Sequence, residues 1–216
     1  MDVKKSVTNV INLLKGSYGA AKVPRRPLIG ICVGHSRKGD SGAQSVSGAS
    51  EWQYNKKLTE YLRVDLENRG VNCAIFTMYD GSGYGGAMRW IKGQLEMLHV
   101  DFSVELHFNC ADTGLAKGYE FLYWGTSKKG KIIADSFSRV FKDHYPDHLN
   151  RGNKGLNGGD RGALFTSLPS MPSVILEPFF GSNQSEWETF GNDNGMRLLS
   201  RSYAEAIVYA SVALGL

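Results

Sequence analysis

Four side chains able to bind a metal or move a proton sit at separated points of this chain: His35, Glu51, His107 and Glu177. Each falls where an apolar run ends or a helical pattern begins. Leu28–Val33 reads as a buried strand and runs into Gly34-His35. Glu51 follows Ser50 at the head of an amphipathic segment. His107 closes Phe102–His107, and Glu177 closes the short apolar run Ser173–Leu176. In an open α/β sheet, chemistry collects beyond the carboxyl ends of the strands. The pattern therefore predicts that these four meet at one rim.

The residue types define the chemistry. A hydrolytic zinc site uses three protein ligands and leaves one position for water. Two neutral imidazoles and one carboxylate leave a bound zinc ion positive, which lowers the pKa of its water to roughly 7. His35, Glu51 and His107 form such a set, although no HExxH motif is present. Each has a plainer alternative. His35 could be an exposed loop histidine, Glu51 a first-turn carboxylate favoured by the helix dipole, and His107 a hydrogen-bonded core histidine. Glu177, between Leu176 and Pro178, is harder to explain structurally: a carboxylate closing an apolar strand is costly unless paired or working. A raised pKa there would suit a general base.

The elements that must position these residues follow from periodicity. The loop Ser36–Ser50 is rich in Gly and Ser, and Ser50 is placed to cap the helix at Glu51. Tyr54, Leu58, Tyr61, Leu62 and Leu66 give that helix one apolar face. Val71–Thr77 reads as a strand, and Ala87–Leu98 as a helix. In Phe102–His107, Phe102, Val104 and Leu106 point one way, and Ser103, Glu105 and His107 the other. Gly118–Trp124 reads as a strand beside it, Lys128–Tyr145 as a helix, Arg151–Gly162 as an irregular loop, and Met196–Leu214 as a closing helix. Strands alternating with helices predict an α/β fold: a single domain, with a mostly parallel or mixed central sheet and helices on both faces.

The chain has 216 residues, 42% hydrophobic and 21% charged, which suits one domain with a sizeable core. The net charge of +4 is uneven. Residues 1–26 carry a balance of +5 and the remainder −1. A basic helix over residues 3–15 and a linker to Pro27 are expected to precede a catalytic domain at 27–216. This charge is too weak for a nucleic-acid footprint, and no apolar run approaches the ~20 residues of a membrane span. Neither nucleic-acid binding nor stable membrane insertion is expected, and the protein is expected to be a monomer. No signal peptide is evident, so synthesis in the cytoplasm and first release into it are expected.

Three cysteines, Cys32, Cys73 and Cys110, argue against a disulfide framework and read as buried free thiols. Gly81-Ser82-Gly83-Tyr84-Gly85-Gly86 matches G-x-G-x-x-G. It follows the second strand and comes after a lengthened turn, so it reads as a loop rimming the cleft and not as a dinucleotide site.

Together the motifs resemble a family. Gly34-His35, Glu51 opening a helix, Leu106-His107-Phe108-Asn109 and Val174-Ile175-Leu176-Glu177-Pro178-Phe179-Phe180-Gly181-Ser182-Asn183 are similar, in order and separation, to the zinc-dependent N-acetylmuramoyl-L-alanine amidases of the Amidase_3 type. Bacteria use these cell-wall hydrolases, and phages use them as endolysins for host lysis. The resemblance runs from about Leu28 to the C-terminus. It implies Zn2+ held by His35, Glu51 and His107, Glu177 as catalytic carboxylate, and peptidoglycan as substrate, cut between N-acetylmuramic acid and L-alanine. Trp124, Asn109 and the Arg151–Gly162 loop become candidate groove walls. Three positions depart from the pattern. Ser36 stands where a glycine usually follows the first histidine, Met78 follows Thr77 in place of an arginine, and Glu105 replaces a small residue two before the second histidine. Glu105 shares a face with His107, so it could orient the metal site or compete with Glu177 for proton transfer. Two other classes fit the same residues: another zinc exopeptidase or amidohydrolase, and a non-catalytic wall-binding module with a structural metal.

Overall fold

The computed structural model describes residues 26–216; the basic helix expected over residues 3–15 lies outside them. The described chain runs β1 (Leu28–Val33), α1 (Glu51–Asn68), β2 (Asn72–Phe76), α2 (Gly83–Met97), β3 (Phe102–Leu106), β4 (Glu120–Trp124), α3 (Lys128–His144), β5 (Lys154–Leu156), α4 (Ala163–Ser167), β6 (Ser173–Glu177), α5 (Gln184–Phe190) and α6 (Asp193–Leu214). The six strands form one sheet in the order β2-β1-β3-β6-β4-β5. β1 runs parallel to β2 and β3, and β3 parallel to β6. β4 is antiparallel to β6 and parallel to β5. The sheet is mixed and mostly parallel, as the alternation of elements predicts.

Period-2 alternation divides the strands between two faces. On one, Ile29, Ile31, Phe102, Val104, Leu106, Val174 and Leu176 meet α1, α3 and α6 through residues such as Leu58, Phe137 and Tyr203, all fully buried. Each such side chain contributes about 1.5–3 kcal/mol of burial. On the other, Cys32 and Ile175 meet Met88, Ile91 and Leu95 of α2 and Phe165 of α4. This second layer is smaller and leaves the carboxyl ends of the central strands open.

Three expectations need correction. β4 does not lie beside β3, because β6 sits between them. The run Ser173–Leu176 is buried throughout, and a strand apolar on both faces stabilises the fold most from a central position. The Arg151–Gly162 segment is also not wholly irregular: Lys154–Leu156 pairs with β4 at the sheet edge, too short to show periodicity. α2 starts at Gly83, four residues before the expected Ala87. No helix among the described residues is long and apolar enough to cross a membrane.

Candidate metal centre and catalytic cleft

The chain leaves β1 for β2 on one side and returns to β3 on the other. Such a reversal opens a crevice beyond the carboxyl ends of the two central strands. Register then aligns the site. Val33 pairs with Leu106, Leu106 with Leu176, and Glu120 with Glu177. The next residues along therefore form one row across the sheet: Gly34, His107, Glu177 and Glu120. His107, Glu177 and Glu120 border a cleft of about 890 Å³ whose lining also includes His35, Glu51, Tyr79, Tyr84, Glu105 and Arg161.

Two glycines make room for the imidazoles. A Cβ on Gly34 would lie 2.2 Å from His107 Cε1 and 2.4 Å from its Nε2. One on Gly42 would lie 2.6 Å from His35 Cδ2 and 2.7 Å from Glu51 Oε2, and Gly42 has a φ of +70°. His35 itself has a φ of 59°, a left-handed conformation uncommon for a side-chain-bearing residue. That turn swings its ring from the end of β1 back over the site. Its Nδ1 lies 2.9 Å from Asp40 Oδ1, which leaves Nε2 facing Glu51 Oε2 at 3.2 Å.

Glu51 is more than a first-turn carboxylate. Ser50 caps α1 by accepting from Gln53 N at 3.3 Å, so the helix terminus does not need Glu51. Its buried carboxylate instead reaches back into the crevice. Oε2 accepts from Ala43 N at 3.1 Å, Oε1 accepts from Phe108 N at 3.2 Å, and His107 Nδ1 lies 2.7 Å from Oε1. One ligand atom from each of His35, Glu51 and His107 falls within 4.8 Å of the others. The three residues of the resemblance thus converge into a cluster able to coordinate a metal ion. None of the three cysteines joins it.

Electrostatics fit a cation there. Burial pushes the Glu51 carboxyl up, but hydrogen bonds with His107 and His35 outweigh it and hold Glu51 well below the usual carboxylate range. Burial lowers both imidazoles, yet Glu51 draws His35 up, and Glu105 with Glu51 draws His107 well up. The carboxylates hold positive charge at this point, which protons on the rings or a metal ion can supply.

Glu177 lies next to His107 in the row, and its Oε2 is sealed from solvent without a hydrogen-bond partner. Burial is the main cause that raises its pKa to about 8, with the Glu51 and Glu120 carboxylates adding to the rise. Glu120 is committed elsewhere: Asn109 Nδ2 donates to its Oε1 at 2.9 Å and Arg151 Nε to its Oε2 at 3.2 Å. Of these two carboxylates, Glu177 is the unclamped one.

Asn109 and residues 160–162 line the cleft as expected, whereas Trp124 does not. Cys32 is buried and Cys73 half-buried, but Cys110 is exposed on the cleft wall, against the reading of three buried thiols. It falls in the loop after β3, where the apolar run no longer governs burial. The G-x-G-x-x-G segment is a loop only at Gly81-Ser82, since Gly83–Gly86 form the first turn of α2, and its Tyr84 rims the cleft. Asp40, Tyr79 and Glu120 were not singled out by the sequence. Nothing local marks them; they become site residues through a loop turn, a β-bridge between Arg37 and Tyr79, and the strand register.

An open α/β sheet carrying a His/Glu/His ligand cluster and a half-buried carboxylate at its switch point defines a class of metal-dependent hydrolase. The family follows from comparison. The Amidase_3 model, N-acetylmuramoyl-L-alanine amidase, matches residues 29–209, and the chain belongs to that family. No curated protein matches it. Among solved structures, the fold resembles N-acetylmuramoyl-L-alanine amidase AmiC2 of Nostoc punctiforme (19% identity, 88% of this chain and 98% of that one, TM-score 0.72). It also resembles the CwlD amidase of Clostridioides difficile, solved in complex with the GerS lipoprotein (19% identity, 87% and 100%, TM-score 0.76). A third is the catalytic domain of the CD27L endolysin targeting Clostridia difficile (23% identity, 85% and 97%, TM-score 0.68).

Proposed function

We propose that this protein hydrolyses the amide between the lactyl group of N-acetylmuramic acid and L-alanine in peptidoglycan, with zinc as its metal. The observation that carries the reading is the convergence of His35, Glu51 and His107 within 4.8 Å, beside a carboxylate whose pKa is raised to about 8. Two imidazole nitrogens and one carboxylate oxygen are a donor set that zinc accepts with a position left open. When bound, zinc supplies an acidified water and polarises the scissile carbonyl.

The chain's own groups do the rest. His35 is turned by Asp40 so that Nε2 faces the site. Glu177, poised near neutrality, takes the proton of the attacking water and then passes it to the leaving amine of L-alanine. Asn109 and the loop around Arg161 help wall the cleft.

Digestion of purified sacculi tests this, with and without a chelator. New L-alanine amino termini that vanish with the chelator and return with zinc are expected, without new reducing sugars. Reducing ends alone would sink the proposal. Release of free amino acids from short peptides with sacculi intact would favour an exopeptidase. Binding to sacculi without new amino termini would favour a structural metal.

A further inference from the structure

Glu105 is a buried carboxylate on the floor of the cleft with no part in the reaction described above. It replaces the small residue that the family resemblance leads one to expect. Its surroundings show why a charge is tolerated there. The buried Tyr79 hydroxyl donates to Glu105 Oε1 at 2.9 Å. Oε2 lies 3.1 Å from His107 Nε2. That nitrogen is buried and has no aligned hydrogen-bond partner, so Glu105 is the acceptor within reach of a slight ring rotation. On its other edge, His107 Nδ1 lies 2.7 Å from Glu51 Oε1. The two edges of one ring thus face two different carboxylates, one in the ligand cluster and one behind it.

We propose that Glu105, anchored by the Tyr79 hydroxyl, is a positioning residue that holds the Nε2–H edge of His107 and so directs Nδ1 to the metal. A ligating histidine whose second nitrogen is carried by a carboxylate has its tautomer and ring angle fixed, and loss of such a partner typically costs about 10–100-fold in metal affinity. Tyr79 reaches the floor because Arg37 and Tyr79 form a β-bridge and Tyr79 N donates to Ser36 O at 2.9 Å. The support therefore ties the loop after β2 to the segment bearing His35. The inference rests on the metal-site reading of the proposed function, but not on which bond is cut.

The test is metal affinity, measured by competition between the protein and a chelating indicator for zinc. The absorption bands of the cobalt-loaded protein serve as a second readout. Glu105→Ala is expected to weaken zinc binding about 10–100-fold and to shift the cobalt bands. Glu105→Gln, whose amide oxygen still accepts from Nε2–H, should recover most of the affinity. Tyr79→Phe, which keeps the ring and the carboxylate, should give a smaller loss in the same direction, and it serves if Glu105→Ala does not fold. Unchanged affinity and cobalt bands in Glu105→Gln and Tyr79→Phe, together with unchanged affinity in any folded Glu105→Ala, would overturn the inference while leaving the metal site intact. Wild-type metal affinity in both Glu105→Gln and Glu105→Ala with turnover abolished would also overturn it, because Glu105 would then be a proton carrier and not a positioning residue. A wild-type protein that binds no divalent metal would overturn this inference and the metal-site reading together.

Discussion

Strand β3 divides its side chains between two unlike environments. Phe102, Val104 and Leu106 enter the layer under α1, α3 and α6, where nearly every neighbour is apolar. Ser103, Glu105 and His107 enter the opposite side, where α2 and the five-residue α4 leave room for a cleft. The same backbone and the same pleat serve both. The first face gains from area alone and is indifferent to which apolar group supplies it. The second carries buried charge that must be paired group by group: Glu105 with Tyr79 and His107, Glu51 with both imidazoles, and Glu120 with Asn109 and Arg151. Stability resides mainly on one side of the sheet and chemistry on the other.

The comparison breaks if a substitution on one face changes the property assigned to the other. The largest separation is expected from Glu177→Gln. It should lower kcat by about 10²–10⁴-fold, the usual contribution of a general base, with zinc stoichiometry unchanged by metal analysis. On the closed face, Phe137 is fully buried and packs edge-on against Tyr203. Phe137→Ala should cost about 3–5 kcal/mol in denaturant unfolding and leave the zinc affinity of the folded fraction as it was. A shift in affinity there would show that the two layers are coupled.

Gly34→Ala lies at the boundary and should act on function more than on stability. Its Cβ would press on the His107 ring, and a displacement near 1 Å is expected to cost on the order of 10²-fold in rate. Steady-state kinetics against a melting curve would show the split.

The smallest effect is a slope with pH. Folded Glu177 titrates at about 8, above its ordinary 4.5. Between those values the unfolded chain has released a proton that the folded chain keeps. The stability from this group is therefore fully present below pH 4.5 and is lost as pH rises to 8, at up to about 1.4 kcal/mol per pH unit. Unfolding of chelator-treated protein across that range should show the decline, and Glu177→Gln should flatten it. Equal slopes would mean that Glu177 is not the desolvated acid that its raised pKa implies.

Much of this arrangement was legible from local pattern. Alternation in Phe102–His107 separated core from site before any contact was known. Ser50 announced its cap, and the apolar run Ser173–Leu176 announced both its own burial and the oddity of Glu177. Other features were not. Lys154–Leu156 is too short and too polar to betray a strand. Cys110 sits three residues past the expected strand Phe102–His107, where strand pattern no longer predicts burial. The expected place of β4 failed because sequence neighbours need not be sheet neighbours, and β6 reaches the centre only by a long return.

By itself, then, the order of residue types settled the α/β alternation, the inward stripes and the identity of the groups able to bind a metal, since these depend on 3.6- and 2-residue periods and on side-chain chemistry. Only the tertiary structure decided that Gly34, His107, Glu177 and Glu120 share one row, that Glu51 turns back to two imidazoles, and that Tyr79 stands behind Glu105. Those facts depend on register and strand order, which long-range hydrogen bonding and packing select and no local window contains.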